Sequence, residues 1–315
     1  MIYREGDEEE NGDIMSYDLY FHRRDGSTIE VEDFVAYFSG RDNYRVDHPS
    51  ALYSNEDTGV YFVFECADDR CKDAAFTGQP AAAMVSINYL RPHIFGLEAE
   101  PELAAFVRRF DLTVEDPQQE GMDGSEYSRK EFLRAWNAGN DFGFRSFLAS
   151  GDRTPPIYAL STERIEAHWQ WNRARLDLQN QLGTDIFVPL ILSFDVGGEL
   201  LSGCIWGDGI PIALPLVDAL VISRDRLAPR RFLRRAPDRC LVRRADAAAL
   251  LDRFRLVDGD IPYRLLDYAQ PPAPIVSFVT SLAASQADLT AIPVDKILNA
   301  DLFSKAIAAN QATKN

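Results

Sequence analysis

The chain has 315 residues, of which 46% are hydrophobic, and its 33 basic and 49 acidic residues give a formal net charge of −16. This length is enough for one large domain or two ordinary ones with a sizeable core. The acidic surplus argues against a general nucleic-acid binder, because such a protein needs a basic face to displace counterions from phosphates, and only the arginine segment at 224–244 keeps that option open. The four scattered cysteines exclude a secreted disulfide framework and favour a reducing cytoplasm.

The amino-terminal residues 1–14 carry one arginine and six acids, a net charge of 1 − 6 = −5. We expect a disordered acidic tail there, and its charge has the wrong sign for a signal peptide. Met15 stands directly before the first patterned segment, so translation from that position is an equal alternative. No apolar run approaches the roughly 20 residues that cross a bilayer, so we predict neither export nor a membrane partner.

Residues 15–126 alternate between strand and helix patterns and predict a first domain. Its expected elements are a strand at 17–22, a helix at 29–38, strands at 51–54 and 60–66, a strand at 82–89, a helix at 101–110 and a strand at 112–114. The five residues Asn55-Glu56-Asp57-Thr58-Gly59 between two β-rich runs indicate a hairpin. This order favours a small antiparallel or mixed sheet with both helices on one face.

A polar segment at 115–126 places the domain boundary there, with 150–156 as the alternative, so residues 127–315 form the second domain. Ser128 can cap a helix through residue 136, and the longest helix is expected from residue 161 or 162 to about 182, followed by Gly183. That helix has two apolar stripes, one of Ile165, Trp169 and Leu176 and another of Trp171, Leu178 and Leu182. Two stripes need two neighbours, either both within the chain or one of them on a partner.

The remaining pattern continues with strands at 185–194, 199–206, 216–223 and 240–242, a helix at 245–254, strands at 261–268 and 275–282, and a helix at 294–309. The predicted fold class is therefore α+β, with two mixed or antiparallel sheets that are each flanked by a few helices.

Signals for catalysis or metal binding are weak. Cys66 and Cys71 have no second ligand pair at a usable distance, which favours ordinary thiols over a zinc site. Glu56 and Asp57 resemble cation ligands in type only, and His168 within the longest helix is expected to pack rather than to act as a base. Walker-type and dinucleotide-type glycine loops are missing from the sequence. We therefore predict no metal, no cofactor and no catalytic residue.

Charge is distributed unevenly along the chain. Residues 224–244 hold nine arginines and two aspartates, 9 − 2 = +7, which leaves −16 − 7 = −23 for the rest. Residues 98–126 hold two arginines and nine acids, 2 − 9 = −7. The arginine segment has three interpretations: pairing with the acidic half within the molecule or across a homo-oligomer, binding of a phosphate or carboxylate ligand, or a solvated loop. The candidate anion-binding residues are Arg230, Arg231, Arg234 and Arg235.

The leading hypothesis is a cytoplasmic, non-enzymatic protein that engages a basic protein partner through an acidic surface, for example a bacterial immunity protein that neutralises a toxin. The candidate partner-binding residues are Glu56, Asp57, Glu98, Glu100, Glu102, Asp116 and Trp171. One alternative is a hydrolase or transferase that acts on an anionic small molecule held by the arginines of 224–244. Another is a structural subunit of a larger assembly, with the Trp171 stripe as its interface.

Overall fold

The computed structural model describes residues 15–66, 81–118, 122, 126–150, 158–231, 234–235, 238–302 and 304–305, with the backbone alone for 148–150, 230–231 and 234–235. The chain forms two compact units. The first comprises residues 1–55, 60–154 and 302–315, and the second comprises 56–59 and 155–301. The acidic tail predicted for 1–14 and the thiol of Cys71 lie outside the described residues.

The first unit contains a six-stranded antiparallel sheet in the order β2-β3-β4-β5-β1-β6. Its elements are β1 (Ser16–Arg23), α1 (Val31–Phe38), β2 (Tyr44–Asp47), β3 (Ser50–Asn55), β4 (Val60–Cys66), β5 (Ala83–Asn88), α2 (Ile94–Phe110), β6 (Leu112–Glu115) and α3 (Arg129–Ser150). Asn55 pairs with Val60 around the tip of the β3–β4 hairpin, which confirms the predicted turn.

The helices of the first unit pack against one face of this sheet, as predicted for two of them. Alternate residues of β1 are buried on that face, and the ring of Phe21 contacts that of Phe106 on α2 at 5.4 Å between centroids. On α3, Trp136 stacks on Tyr89 at 5.5 Å between centroids. Gly139 is required for this close approach, because a Cβ atom there would lie 2.1 Å from the Tyr89 hydroxyl.

The second unit contains a mixed five-stranded sheet in the order β14-β11-β9-β8-β17, in which only β9 and β11 pair in parallel. A three-stranded sheet, β10-β16-β15, and two-stranded sheets of β12-β13 and β18-β7 complete it. Its elements are β7 (Tyr158–Leu160), α4 (Thr162–Leu182), β8 (Leu192–Val196), β9 (Glu199–Gly207), β10 (Ile212–Pro215), β11 (Ala219–Arg224), β12 (Arg230–Arg231), β13 (Arg234–Arg235), β14 (Asp238–Arg243), α5 (Arg244–Leu251), β15 (Arg255–Val257), β16 (Tyr263–Leu266), α6 (Ala273–Ser281), β17 (Ala291–Ile292), a 3₁₀ turn (Val294–Lys296) and β18 (Ile297–Asn299). The described fold is therefore α+β, as predicted.

Helix α4 forms where the sequence places it. The Ser161 hydroxyl accepts a hydrogen bond from the backbone N–H of Arg164, and Gly183 ends the helix with φ of +77°. Trp171 is 1% exposed in the core of the second unit, and Leu178 and Leu182 pack against the same core. The second apolar stripe is thus internal to its own unit. None of the helices in the described part of the chain is long and apolar enough to span a bilayer.

Two segments differ in type from the prediction. Residues 275–281 of the segment expected as a strand at 275–282 belong to α6, which begins directly after Pro272 and has Pro274 in its first turn. Periodicity does not separate a buried helix from a buried strand in a short apolar run, whereas a proline suits the first turn of a helix. The predicted helix at 294–309 is also wrong in its first part, because Ile297–Asn299 is a buried strand that pairs in parallel with β7.

Further segments differ in extent, among them α3, which was predicted to end at residue 136 and runs to Ser150. Helix α2 begins at Ile94 rather than at Pro101, because the buried side chains of Ile94 and Phe95 extend its apolar face by two turns. The strand predicted at 185–194 begins only at Leu192, and the stretch before it, which contains Pro189, makes a single bridge between Phe187 and Ile212.

Candidate functional site

Three glutamates of α2 accept hydrogen bonds from tyrosine hydroxyls of the first unit. Glu98, which is 2% exposed, accepts from the hydroxyl of Tyr53 at 2.8 Å and from the amide of Asn55 at 2.7 Å. The hydroxyl of Tyr44 donates to Glu102 at 2.9 Å, and that of Tyr127 donates to Glu100 at 3.2 Å. These acids therefore tie α2 to three other segments of its unit.

The end of β6 continues this pattern. Asp116 is 3% exposed and accepts from the Tyr17 hydroxyl at 2.9 Å. Glu115 lies 2.8 Å from Nε2 of His22, which is also buried. The carboxylates of the first unit that are withdrawn from water thus have hydrogen-bonding partners, as enclosed polar groups require.

Burial and the adjacent carboxylates raise the pKa of Tyr44, Tyr53 and Tyr127 well above the usual range for tyrosine. Each hydroxyl consequently keeps its proton and remains a donor at any physiological pH. Because a tyrosine hydroxyl is neutral, the hydrogen bond satisfies the carboxylate without cancelling its charge.

These contacts correct the prediction that seven residues form a partner-binding surface. Glu98, Asp116 and Trp171 are buried, and the side chains of Glu100 and Glu102 are only 12% and 23% exposed. Asp57 accepts two hydrogen bonds from Arg175, both at 2.9 Å, within the second unit. Glu56 is exposed. The charges of these residues are evident from the sequence. The tyrosines and the arginine that contact them are distant in the chain, so these contacts are evident only from the fold.

A different set of acids is exposed on the first unit. Glu30, Glu32 and Asp33 lie at the start of α1, Asp42 precedes β2, and Asp47 is the last residue of β2, an edge strand of the sheet. None of these five residues is among the predicted partner-binding residues. Their exposure could have been predicted for the first three acids, because they lie between the apolar positions of a predicted helix near its amino terminus.

Several arginines of residues 224–244 form ion pairs with acids of the second unit. Arg224 has no exposed side-chain surface and forms two hydrogen bonds with Asp238, at 2.7 and 2.8 Å. It also donates to the carbonyl oxygens of Val279 and Leu282, near the end of α6, at 2.9 and 3.0 Å. This arginine is therefore structural.

Two further arginines of the segment lie beside acids of the second unit rather than the acidic first half. Arg226 lies 3.6 Å from Asp208, and Arg243 lies 2.5 Å from Glu199. Arg230 and Arg231 pair through their backbone with Arg235 and Arg234, respectively, as a two-stranded ladder. The side chains of these four candidate anion-binding residues lie outside what is described.

His168 lies on α4 near an ion pair between Arg164 and Asp218. Burial, reinforced by the positive charge of Arg164, lowers the pKa of His168 to about 4, so the imidazole is neutral at pH 7. Asp218 also accepts from the hydroxyl of Ser202 at 2.8 Å, and Ser202 is 2% exposed. This group links β9 to α4. Within the described ranges no group of three or more His, Cys, Asp or Glu residues is arranged to hold a metal ion.

Comparison with known proteins gives no relative from which a function could be transferred. No protein-family model, no curated protein and no solved structure matches the chain. Function is therefore inferred from the charges and contacts of this chain alone.

Proposed function

We propose that this protein is a non-enzymatic binding protein of the bacterial cytoplasm that engages a basic protein partner through the first unit. The observation that carries the proposal is the exposed acidic surface of α1 and β2, which consists of Glu30, Glu32, Asp33, Asp42 and Asp47. The exposed base among these positions is Arg45, so the surface carries 1 − 5 = −4.

The charge of the rest of the first unit adds to this surface. The first unit holds 17 basic and 29 acidic residues, 17 − 29 = −12, whereas the second unit holds 16 and 20, 16 − 20 = −4. The hydrogen bonds that Tyr17 and Tyr53 donate to Asp116 and Glu98 do not themselves cancel charge, because a tyrosine hydroxyl is neutral, whereas Glu100 also lies 3.4 Å from Arg129. A field of this sign attracts a basic protein and raises its association rate.

A toxin-neutralising immunity protein is the specific form of this proposal. Such a protein must bind before its target acts, which makes a fast, electrostatically steered encounter useful. Steering between exposed charges weakens as salt shortens the Debye length from about 10 Å at 0.1 M to about 3 Å at 1 M.

The test is capture of partners from a lysate of the source organism on three immobilised baits. These are the unaltered protein, the variant Glu30→Gln/Glu32→Gln/Asp33→Asn, and a control, Asp177→Asn/Asp258→Asn/Asp260→Asn. The control removes the same number of exposed charges from the second unit. Each capture is repeated at low and high salt.

A basic protein that is retained by the unaltered bait and by the control, lost from the α1 variant and released by high salt supports the proposal. Equal retention on all three baits, or retention that does not depend on salt, contradicts it. Circular dichroism of the three baits checks that the substitutions leave the fold unchanged.

A further inference from the structure

Strand β2 is an edge of the six-stranded sheet and presents one cation and one anion to water. Arg45 and Asp47 are both exposed, on the face of the sheet opposite the helices. Val46, between them, pairs with Ala51 on the buried face. Within the described part of the chain, the side chains of Arg45 and Asp47 form neither a hydrogen bond nor an ion pair. Both charges are therefore available to a neighbouring molecule.

The backbone of β2 also has a free side. The N–H of Ser54 donates to the carbonyl oxygen of Asn43, next to the β2–β3 register. Because hydrogen-bonded and non-hydrogen-bonded pairs alternate in an antiparallel ladder, Arg45 and Asp47 also direct their backbone groups towards β3. Val46 consequently directs its N–H and C=O away from β3, where no described strand pairs with it. A further strand can bind at this edge through these two groups.

We propose that β2 pairs with β2 of a second copy of the chain, in an antiparallel arrangement with the two-fold axis at Val46. In this register the two Val46 residues face each other and exchange two backbone hydrogen bonds. Arg45 of each copy lies opposite Asp47 of the other, as a non-hydrogen-bonded pair with Cα atoms about 4.5 Å apart. Both side chains of such a pair lie on the same face, so two ion pairs form across the axis.

The charges select this register over its neighbours. A two-fold axis at Arg45 would set arginine opposite arginine, and an axis at Asp47 would set aspartate opposite aspartate, and like charges in such positions are destabilising. Edge strands that resist pairing are short or carry charges that repel a neighbour. Strand β2 is short, with four residues, but its opposite charges lie one position on either side of Val46. This arrangement attracts a second copy instead of repelling it.

Sedimentation equilibrium of the full chain over a range of concentrations tests this proposal. The unaltered protein should dimerise. Arg45→Asp sets acid opposite acid in both pairs, and Asp47→Arg sets base opposite base, so each variant alone should dimerise at least about tenfold more weakly. The matched control is Lys130→Asp, which reverses an exposed charge on α3 and should leave dimerisation unchanged.

Two further samples separate loss of the interface from loss of the fold. An equimolar mixture of Arg45→Asp and Asp47→Arg should form a heterodimer, because every acid at these positions then lies opposite an arginine. The double variant Arg45→Asp/Asp47→Arg exchanges the two charges and should dimerise as tightly as the unaltered protein. Misfolded single variants would not recover dimerisation on mixing.

Three results overturn the proposal. They are a monomeric unaltered protein, dimerisation that Arg45→Asp leaves unchanged, and a mixture of the two single variants that stays monomeric. The inference does not depend on the capture of a basic partner, because the α1 variant used there leaves Arg45 and Asp47 intact. Dimerisation withdraws these two opposite charges together, so the four remaining exposed acids of the acidic surface still carry −4.

Discussion

In the first unit Glu98, Glu100 and Glu102 of α2 accept hydrogen bonds from tyrosine hydroxyls, and Arg129 and Arg41 also pair with Glu100 and Glu102, whereas in the second unit Asp238, Asp57 and Asp218 accept from arginine guanidinium groups. The hydroxyl satisfies hydrogen bonds and leaves the negative charge in place. A guanidinium group satisfies the hydrogen bonds and also cancels the negative charge. The two units therefore hold enclosed acids with different sets of donors, and the first unit has the larger negative charge, −12 against −4.

The largest effect is expected from Arg224→Met, which leaves Asp238 and the carbonyls of Val279 and Leu282 without their donor. Breaking a buried ion pair on one side costs about 3–5 kcal/mol of unfolding free energy. Urea unfolding followed by tryptophan fluorescence measures this, since three of the four tryptophans lie in the second unit.

The matched control for this prediction is Arg226→Met, whose side chain is 80% exposed and should change stability by less than about 0.5 kcal/mol. Adding Asp238→Asn to Arg224→Met should restore part of the loss, because the enclosed charge is removed. An equal loss in both single variants would contradict a special role for the buried pair.

A smaller effect, confined to acid, is expected from His168. Its pKa of about 4 in the folded protein lies below the value of about 6.5 in an unfolded chain, so the unfolded state binds a proton first as pH falls. The stability that His168 contributes is complete above pH 6.5 and is lost between pH 6.5 and about 4, up to roughly 3 kcal/mol.

Urea unfolding at pH 7 and at pH 5, for the unaltered protein and for His168→Gln, measures this loss. The variant should lose less stability between the two pH values, because glutamine does not titrate. The same pH dependence in both proteins would mean that His168 is not held neutral beside Arg164.

Removal of one tyrosine hydroxyl should have an intermediate effect on the first unit. In Tyr53→Phe, Glu98 loses a 2.8 Å hydrogen bond while it stays buried, which costs about 1–3 kcal/mol of unfolding free energy. Urea unfolding followed by circular dichroism measures the change. Tyr158→Phe is the control, because the Tyr158 hydroxyl donates to Asp195 in a less enclosed place and its loss should have little effect.

Much of the fold was predictable because its signals are local. The hairpin at 55–60 and the ends of α4 depend on turn residues, a serine cap and a glycine that lie next to the elements they define. The type of α6 and β18 was not predictable. Their short apolar runs suit either a strand or a helix, and partners distant in the chain decide between them.

The site was less predictable for a related reason. Glu98 and Tyr53 are 45 residues apart, and Glu102 and Tyr44 are 58 residues apart. A sequence shows how many charges a segment carries, but the tertiary fold decides which of them face water. The acidic segment at 98–126 therefore led the prediction to side chains that the fold largely encloses, whereas the exposed acids of α1 and β2 do not lie in a long acidic run.

The smallest effect is expected at Asp57. It tests whether the two-bond pairing of an aspartate with an arginine, seen in the second unit, also stabilises residues 56–59, which belong to that unit. Asp57 lies in the hairpin between β3 and β4, yet residues 56–59 belong to the second unit, and Asp57 meets Arg175 in the two-bond geometry seen for Asp238 and Arg224. Arg175→Lys keeps the charge and removes the planar fork, so it should cost up to about 1 kcal/mol in urea unfolding. Arg226→Lys should cost nothing measurable, because that side chain is exposed. If Arg175→Lys is equally neutral, charge alone holds Asp57, and the two-bond geometry adds no measurable stability at this loop.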